Sequence, residues 1–285
     1  MDIQKEIDDV IKNAFREDIG EGDITTLATV PADQPGEAQF FIKADGIIAG
    51  VEVAKRVFEL FDPSLECEMY VKDGQQVKKG DIAGIVRGKA ASILTTERTA
   101  LNLLQRMSGI ATYASVFAKA VSDTNAKIID TRKTVPGLRL LDKMAVAAGG
   151  CGNHRIGLYD MFLIKDNHIT ASGSITSAVE NCRRYMQQTG RTYRIEVEVS
   201  NLQQTQEAID NKVDVIMLDN FEIESMKQAV ELIAGRAQTE ASGGVTLESV
   251  RAIAMTGVDL ISIGALTHSV KALDISLKLK FNHAQ

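Results

Sequence analysis

From residue 126 onward the chain alternates short apolar runs with amphipathic segments of helical length, and this rhythm limits the folds open to it. A strand, a helix and a further parallel strand build a sheet with helices on its faces. Strands are predicted at 126–130, 161–165, 194–199, 213–219, 238–242 and 260–264. Helices are predicted at 138–148, 172–188, 201–211, 222–234 and 246–255. The pattern predicts an incomplete β/α barrel, because a complete barrel of this type has eight strands.

Residues 1–112 follow a different pattern and are predicted to form a smaller N-terminal α+β domain, which leaves 113–285 for the β/α barrel. Apolar residues at helical spacing predict a first helix from Ile3 to Phe15. A strand, a helix and two more strands are predicted at 37–44, 52–61, 65–71 and 82–87. The end of the chain is expected to pack back on the N-terminal domain.

A long helical region is predicted at 92–123, with a break near Ser108 and Gly109. Arg98 lies in this region among several leucines. An arginine on an amphipathic helix is usually a surface residue whose aliphatic stem packs on its neighbours. Its position alone therefore assigns Arg98 no functional role.

Composition limits the classes of function. The chain has 285 residues, a formal net charge of −6 and a pI near 5.4, which argue against nucleic acid as its partner. No window holds the roughly 20 apolar residues of a membrane span, and the N-terminus is polar and acidic, so we expect a cytoplasmic protein. Cys67, Cys151 and Cys182 are odd in number and irregularly spaced, which predicts neither disulfides nor a zinc site.

The stretch from Asp130 to Arg155 concentrates positive charge in this acidic chain. Its basic residues are Arg132, Lys133, Arg139, Lys143, His154 and Arg155. A solvated basic face is the simplest interpretation. Threonines, a proline and several glycines in the same stretch instead indicate shaped loops that let the backbone approach a ligand. The stretch therefore predicts a site for an anionic small molecule.

Each predicted barrel strand ends at a residue that can take part in binding or catalysis. These residues are Asp130 with Arg132 and Lys133, Lys165 with Asp166, Glu198, Asp219, Ser242 and Gly264. In β/α barrels the chemistry takes place at the carboxyl ends of the strands. The pattern therefore predicts one active site at that end of the barrel.

The strand at 194–199 carries two carboxylates on one face. Its period of two separates Glu196 and Glu198, together with Arg194, from Ile195, Val197 and Val199. We expect the apolar face to pack under the helices, which directs both carboxylates into the barrel mouth. Buried carboxylates are costly unless they are paired or bound to metal, so a purely structural role is the less favoured hypothesis.

The last two strands indicate a phosphate site. Ser242, Gly243 and Gly244 lead into a predicted helix, and Gly264 to His268 lead into another. Backbone N–H groups at helix starts, flanked by small residues, commonly bind phosphate after the final strands of such barrels. The order and position of these residues therefore predict phosphate binding.

Longer motifs resemble those of a known family. They are EDIGEGDITT (17–26), ERTALNLLQRMSGIAT (97–112), DTRKTVPGLRLLDKMAVAAGGCGNHR (130–155), LIKDNHI (163–169), EVEV (196–199), LDNF (218–221), EASGGV (240–245) and ISIGALTHS (261–269). Over essentially its whole length the chain resembles quinolinate phosphoribosyltransferases, also called nicotinate-nucleotide pyrophosphorylases (carboxylating). The resemblance implies an enzyme of NAD biosynthesis that uses Mg²⁺. Such an enzyme makes nicotinate mononucleotide, CO₂ and pyrophosphate from quinolinate and phosphoribosyl pyrophosphate.

The resemblance also implies a seven-stranded barrel, a homodimer whose interface includes the long helix, and a role for each matching residue. Substrate anions would be bound by Thr131, Arg132, Lys133, His154, Arg155 and Lys165, with Arg98 donated across the dimer interface. Ribose hydroxyls and Mg²⁺ would be held by Glu198 and Asp219. The 5-phosphate would be bound by Ser242, Gly243, Gly244, Gly264, Ala265 and Leu266, with His268 adjacent. The catalytic residues would be Lys133, Lys165, Glu198 and Asp219.

The implied reaction accounts for these residue types. Two carboxylates on quinolinate need at least two cations, and the forked guanidinium of arginine suits a carboxylate better than a point charge does. Departure of pyrophosphate leaves an oxocarbenium-like ribosyl cation, which Glu198 and Asp219 would stabilise while Mg²⁺ and lysine neutralise the leaving group. Attack by the pyridine nitrogen gives a pyridinium ring that accepts the electrons of the departing carboxylate. No organic cofactor is expected.

Other functions fit parts of the same pattern. Lys165 at a strand end could be the Schiff-base lysine of an aldolase, which borohydride trapping with a sugar phosphate would reveal. Paralogues associated with molybdenum transport genes resemble the same family, and substrate turnover separates them. A non-catalytic binding protein with a degenerate barrel is the third hypothesis. Charged residues at so many strand ends argue against it.

Overall fold

The computed structural model describes residues 2–280, which divide into two units. The first unit contains the chain up to Ser115, the segment Thr134–Gly150 and the chain from Ala265 onward. The second contains Val116–Lys133 and Cys151–Gly264. Within residues 2–280 no helix has both the length and the apolar character needed to cross a membrane.

Helices and strands occur in both units. The helices are α1 (Ile3–Asp18), α2 (Ile24–Thr29), α3 (Val51–Phe61), α4 (Ala90–Ala120), α5 (Arg139–Ala148), α6 (Asp166–Ser172), α7 (Ile175–Thr189), α8 (Leu202–Asp210), α9 (Ile223–Ile233), α10 (Val250–Ala254) and α11 (Ala265–His268). The strands are β1 (Pro35–Ile42), β2 (Gly46–Ile47), β3 (Glu66–Met69), β4 (Gln76–Val77), β5 (Ile82–Lys89), β6 (Lys127–Ile129), β7 (Phe162–Ile164), β8 (Ile195–Val199), β9 (Val215–Asp219), β10 (Gln238–Ser242), β11 (Leu260–Ser262) and β12 (Ile275–Lys280).

The main sheet of the first unit has the strand order β12-β1-β5-β3, and its strands pair antiparallel. β1 buries Ala38, Phe40 and Ile42 at alternate positions, as expected of a strand with one face on a core. Phe40 packs edge-to-face on Phe58 of α3, with ring centres 6.1 Å apart. The core of this unit therefore lies between the sheet and its helices.

The last strand of the chain joins the first. β12 pairs antiparallel with β1, from Glu37 opposite Lys280 to Ile42 opposite Ile275. The side-chain amide of Gln105 on α4 donates a hydrogen bond to the Ile275 carbonyl. Residues from the two ends of the described chain therefore share one sheet.

The long helix α4 is continuous, so the predicted break near Ser108 and Gly109 is wrong. The Ser108 hydroxyl accepts a hydrogen bond from the Ala49 N–H and donates one to the Ala49 carbonyl. A Cβ at Gly109 would overlap the backbone of Lys271 and Ala272. Glycine therefore allows close packing at this point of the helix, and no turn is needed to explain it.

The second unit is built on a parallel sheet with the strand order β6-β11-β10-β9-β8-β7. β8 and β9 are buried along nearly their whole length, as expected for parallel strands covered on both faces. Because all these strands run in one direction, their carboxyl ends lie at one edge, where Ser242 of β10 stands beside Asp219 of β9. Gly152 makes a further parallel bridge to Ile129 of β6.

The predicted strands of this sheet all occur, each with ends within two residues of the prediction. An α/β fold with a parallel sheet and a separate antiparallel sheet near the N-terminus is confirmed. Five elements were not predicted, and one of them is the strand β12. The helix α2 lies in a segment treated as loop, α6 follows β7 directly, and β2 with β4 forms a two-residue pairing.

Candidate active site

The carboxyl ends of the parallel strands surround a cavity of about 570 Å³ in the second unit. The predicted site residues that line it are Thr131, Arg132, Lys133, His154, Arg155, Lys165, Glu198, Asp219, Ser242, Gly243 and Gly244. Its other lining residues are Leu163, Met217, Asn220, Glu240 and Ser262. The structure therefore gathers basic groups, carboxyl groups and a glycine loop around one space.

Two arginines present unpaired donors at this cavity. Among the described residues, the Nε atoms of Arg132 and Arg155 are buried and have no hydrogen-bond partner. The Arg155 guanidinium also donates through Nη1 to the Met161 carbonyl at 3.0 Å. Burial lowers the pKa of Arg155, and the nearby charge of Arg132 lowers it further. Two guanidinium groups held this close, with donors unused, favour binding of an anion.

Lys165 and Glu198 form an ion pair in the cavity. The Lys165 Nζ lies 2.5 Å from Glu198 Oε2, and these atoms come from the ends of neighbouring strands β7 and β8. His168 positions the backbone of Lys165, since its Nδ1 accepts the Lys165 N–H at 3.0 Å. The Lys165 carbonyl accepts the His168 N–H at 2.8 Å, which closes the first turn of α6. Lys165 therefore stands on a rigid strand-to-helix junction.

Asn220 orients the second cavity carboxylate, Asp219. Its side-chain amide donates to Asp219 Oδ2 at 2.8 Å, and its backbone N–H donates to the Ser242 carbonyl at 2.9 Å. Asn220 has a φ of 54°, a left-handed conformation that asparagine tolerates better than most residues. Gly243 has a φ of 97°, and a Cβ there would overlap the Asn220 amide. The glycine loop and Asp219 are thus coupled through one asparagine.

His154 lines the cavity, and both of its ring nitrogens lie close to other protein groups. Its Nδ1 accepts the Arg155 N–H at 2.7 Å, and its Nε2 lies 3.1 Å from Glu196 Oε2. Its own backbone N–H donates to Asp130 Oδ1 at 2.7 Å. The position of the imidazole ring is therefore set by the Arg155 N–H on one side and by the Glu196 carboxylate on the other.

The expectation that Glu196 and Glu198 both point into the barrel mouth is wrong for Glu196. The Glu196 side chain is fully buried and lies below the cavity that Glu198 lines. The strand period correctly placed the two carboxylates on one face. The strand period could not show how far each carboxylate lies from the mouth of the cavity. Two residues along a strand are separated by roughly 7 Å, which is enough to place Glu196 below the cavity that Glu198 lines.

The remaining predicted residues lie outside the lining of this cavity. Arg98 is exposed on α4 in the first unit. Ala265, Leu266 and His268 also belong to the first unit, where Leu266 is buried and His268 is exposed with its Nδ1 2.7 Å from the Ser269 hydroxyl. Gly264 closes the second unit after β11. Their binding roles stay predictions.

Sequence reasoning missed three polar groups of the cavity. Glu240 and Ser262 lie inside it on β10 and β11, and Asn220 follows β9. A signal was present for Glu240, because the period of two places it on the same face as Ser242. Asn220 carried a weaker signal, an asparagine directly after a strand end, which is where left-handed residues are common.

Family models match nearly the whole chain. The model described as quinolinate phosphoribosyl transferase, C-terminal domain, matches residues 110–278, and that of the N-terminal domain matches residues 23–108. Together the two matches extend across both the antiparallel and the parallel sheet.

Individual relatives are similar over comparable lengths. The chain is 50% identical over 286 residues to the chloroplastic nicotinate-nucleotide pyrophosphorylase (carboxylating) of Arabidopsis thaliana, which covers 95% of the chain and 82% of that protein. It is 45% identical over 274 residues to a probable nicotinate-nucleotide pyrophosphorylase (carboxylating) of Bacillus subtilis, covering 96% and 93%. The crystal structure of NadC from Streptococcus pyogenes matches with a TM-score of 0.92 at 41% identity and covers 96% of each chain.

Proposed function

The chain belongs to the quinolinate phosphoribosyltransferase family, and on this basis we propose that its second-unit cavity is the active site for that reaction. The enzyme transfers a phosphoribosyl group from phosphoribosyl pyrophosphate to quinolinate, with loss of one carboxylate as CO₂. Nicotinate mononucleotide and pyrophosphate are the other products, and the reaction serves NAD biosynthesis. The relatives named for this activity favour it over the aldolase and the non-catalytic scaffold.

The observation that carries the placement is the pair of buried, unused guanidinium donors on Arg132 and Arg155. Each buried donor without a partner costs folding free energy, about 1–3 kcal/mol or more for a charged group. A dicarboxylate repays that cost, because each carboxylate accepts the paired N–H groups of an arginine fork. Quinolinate carries two adjacent carboxylates, so we assign the two arginines to it.

The reacting ribose lies, in this proposal, between Glu198 and Asp219. Positive charge develops on the ribosyl ring as pyrophosphate departs, and preorganised carboxylates stabilise that charge without reorganising. Glu198 is already held by Lys165, and Asp219 by Asn220. Lys133 and Lys165 bind the departing pyrophosphate, so the ion pair with Glu198 is the resting arrangement of Lys165.

The donor set also suits Mg²⁺, which we propose as the metal of the reaction. Glu198 and Asp219 offer carboxylate oxygens at the ends of neighbouring strands, and both line the cavity. Mg²⁺ prefers oxygen ligands and is usually bound through one or two carboxylates together with substrate phosphates. When bound, it supplies positive charge that neutralises the pyrophosphate leaving group.

Ser242, Gly243 and Gly244 are proposed to bind the 5-phosphate. Both glycines are exposed and have positive φ values of 97° and 57°, and successive N–H groups in such turns form anion-binding concavities. Gly264, which ends the second unit, is proposed to extend this site on the family resemblance alone. The phosphate-binding roles of Ala265, Leu266 and His268 remain predictions from the sequence. Thr131, whose hydroxyl accepts the Lys133 N–H at 3.0 Å, orders the loop that presents the basic residues.

Decarboxylation follows from the chemistry of the product ring. Attack of the pyridine nitrogen on the ribosyl carbon makes the ring cationic. The C–CO₂ bond beside that nitrogen then breaks, and its electron pair stays on the ring carbon, where the adjacent positive nitrogen stabilises it. A proton from solvent then adds to that carbon in place of CO₂. The chain's contribution is orientation by Arg132 and Arg155, and no organic cofactor is needed.

Three wider features are part of the proposal. The enzyme acts as a homodimer with Arg98 donated across the interface, for which the exposure of Arg98 on α4 is the supporting observation. The bridge between Gly152 and Ile129 supports a seventh position in the barrel. A cytoplasmic location rests on the sequence, while the Arabidopsis relative is named as chloroplastic.

A product assay tests the function. The purified protein is incubated with Mg²⁺, phosphoribosyl pyrophosphate and either quinolinate or nicotinate, and nucleotide and CO₂ are measured. Product from quinolinate alone supports both the reaction and the two-arginine site. Product from nicotinate would retain the transferase and contradict the dicarboxylate clamp, whereas no product from either would contradict the assigned activity.

A further inference from the structure

Directly beneath the proposed active site, three titratable side chains form a buried cluster that the mechanism leaves unused. Nε2 of His154 lies 3.1 Å from Glu196 Oε2 and 3.6 Å from Glu240 Oε2. Glu196 is fully buried, and Glu240 is 1% exposed. His154 and Glu240 line the cavity above, and all three line a second cavity of about 460 Å³ on the opposite side. The cluster therefore separates two spaces within the second unit.

The carboxyl groups are short of donors. Among the described residues, both oxygens of Glu196 and Oε1 of Glu240 are buried without a hydrogen-bond partner. One carboxylate oxygen of Glu196, one of Glu240 and a ring nitrogen of His154 all lie within 4.8 Å of one another. Two ionised carboxylates at this separation in a buried site repel one another and lose their hydration. Either a bound cation or a proton must lower that cost.

The orientation of His154 decides between the two. Its Nδ1 accepts the Arg155 N–H, so that nitrogen carries a lone pair and no proton. The neutral ring then carries its proton on Nε2, which faces Glu196. A metal ion at the centre of the cluster would need the Nε2 lone pair, which this tautomer does not offer. A proton on a carboxyl group is therefore the better explanation.

We propose that Glu240 keeps its proton at neutral pH and donates a hydrogen bond to Glu196. This neutral carboxyl positions His154 and limits the negative charge beneath Arg132 and Arg155, which together form the arginine clamp. The inference rests on the proposed placement of quinolinate at Arg132 and Arg155. Burial and the charge of Glu196 raise the pKa of Glu240 to about 8, which agrees with the geometry. Glu240 is thus a positioning residue and touches no reacting atom.

The polar groups that act most directly on Glu240 come from three parts of the second unit. β8 presents Glu196, the segment after α5 presents His154, and β11 presents the hydroxyl of Ser262. Opposite Glu240 across the sheet stand Met217 on β9 and Leu260 on β11, which are apolar. The charged residues that share one of the two cavities with it are Lys127, Arg132, Lys133, Arg155, Asp160, Lys165, Arg194, Glu198 and Asp219. Arg155, one of the two arginines of the clamp, interacts electrostatically with Glu196.

Loss of the Glu240 proton has two consequences for binding. Glu196 loses the proposed hydrogen bond from Glu240, so the carboxylate that lies 3.1 Å from His154 Nε2 is no longer held in place. A second negative charge also appears below the clamp and repels dianionic quinolinate. We expect the KM for quinolinate to rise about tenfold between pH 7 and pH 9, while kcat changes less.

Glu240→Gln is the matched variant, because a glutamine amide keeps the size and a donor but cannot ionise. We expect a quinolinate KM near the parent value at pH 7 and no comparable rise by pH 9. An unchanged pH profile in the variant would overturn the proposal. Glu240→Leu removes the donor at every pH and is expected to raise the KM already at pH 7, which the glutamine variant should avoid.

Thermal unfolding without substrate gives a second measurement that does not depend on the assigned reaction. A carboxyl whose pKa is raised by folding from 4.5 to about 8 binds its proton more tightly in the folded state. Stability is therefore lost as pH rises through that window, and Glu240→Gln removes that loss. The difference in Tm between variant and parent should grow with pH up to about 8.

A Tm difference that does not change with pH would contradict the proposal that Glu240 is protonated at neutral pH, whatever reaction the protein catalyses. A stoichiometric Zn²⁺ or Mn²⁺ ion that remains after dialysis of the parent, and is lost in Glu240→Gln, would instead establish a metal site. If the Tm difference grows with pH but the protein does not turn over quinolinate, the protonated Glu240 is supported and the proposed function is contradicted.

Discussion

Single side chains in the cavity differ in how completely the protein satisfies them. Arg132 and Arg155 keep buried donors in reserve, whereas Lys165 and Glu198 are already paired with each other. The unpaired donors of the two arginines are available to bind substrate. The ion pair, in contrast, fixes Lys165 and Glu198 in position before substrate binds. The distinction gives different kinetic expectations for the two kinds of residue.

Glu198→Gln is expected to lower kcat by roughly 10²-fold or more, because the variant keeps the shape but loses the charge that faces the developing ribosyl cation. The exposed Glu180 on α7 provides a control of the same chemistry, Glu180→Gln. Steady-state turnover of both variants is compared at saturating substrates. A kcat for Glu198→Gln equal to that of the control would remove Glu198 from the mechanism.

Arg132→Lys is expected to raise the KM for quinolinate about 10- to 100-fold with a smaller change in kcat, because lysine keeps the charge but loses the paired N–H geometry. The KM for phosphoribosyl pyrophosphate should change little. Arg184→Lys, at an exposed position of α7, is the control. A change confined to the KM for phosphoribosyl pyrophosphate would reassign Arg132 to that substrate.

The sequence predicted which residues meet at the cavity better than it predicted what they do there. Lys165, Glu198 and Asp219 could be foreseen because each ends a strand, and parallel strands end at one edge. The partners of His154 could not be foreseen, since Glu196 and Glu240 come from strands more than 40 residues away and meet it only in three dimensions. Burial depth also has no counterpart in a period of two.

Loops and helices show where a glycine is required and where it only allows close packing. Gly243 and Gly173 both have φ values near 90°, at 97° and 90°. A Cβ at Gly243 would overlap Asn220, whereas a Cβ at Gly173 would have no atom within 4 Å. The two positions therefore share backbone strain and differ only in crowding.

Gly243→Ala and Gly173→Ala should each lower the free energy of unfolding by about 1–2 kcal/mol, since alanine is strained in this conformation. Only Gly243→Ala should also impair catalysis, because its methyl group displaces the amide that orients Asp219. Urea unfolding and steady-state kinetics of both variants test this. Equal kinetics would show that Asn220 is not needed to hold Asp219.

The same distinction explains the one helix that the sequence divided wrongly. Ser108 and Gly109 are small and polar or flexible, which is typical of a break when only local propensity is considered. In the folded first unit their smallness serves contacts with Ala49 and with the backbone near Lys271. Local sequence cannot distinguish a turn from a tight packing site when the packing partner lies far along the chain.

For the protein as a whole, the proposed homodimer predicts complementation between two inactive variants. Arg98→Ala lacks the donated arginine, and Glu198→Gln lacks the carboxylate of its own site. A mixed dimer has one site with both groups intact, so an equimolar, re-equilibrated mixture should recover about a quarter of the parent activity. Activity of the mixture no higher than the mean of the separate variants would contradict donation of Arg98 across the interface.

The pairing of β12 with β1 sets the order in which this protein can be completed during synthesis. In the finished sheet β1 lies between β5 and β12, so one of its edges has no partner until the chain has been extended to residues 275–280. At typical elongation rates the ribosome takes on the order of ten to fifty seconds to travel from one strand to the other. An unpaired strand edge is a template for wrong association. We therefore expect the N-terminal sheet of the nascent chain to be open to wrong association until residues 275–280 have been made.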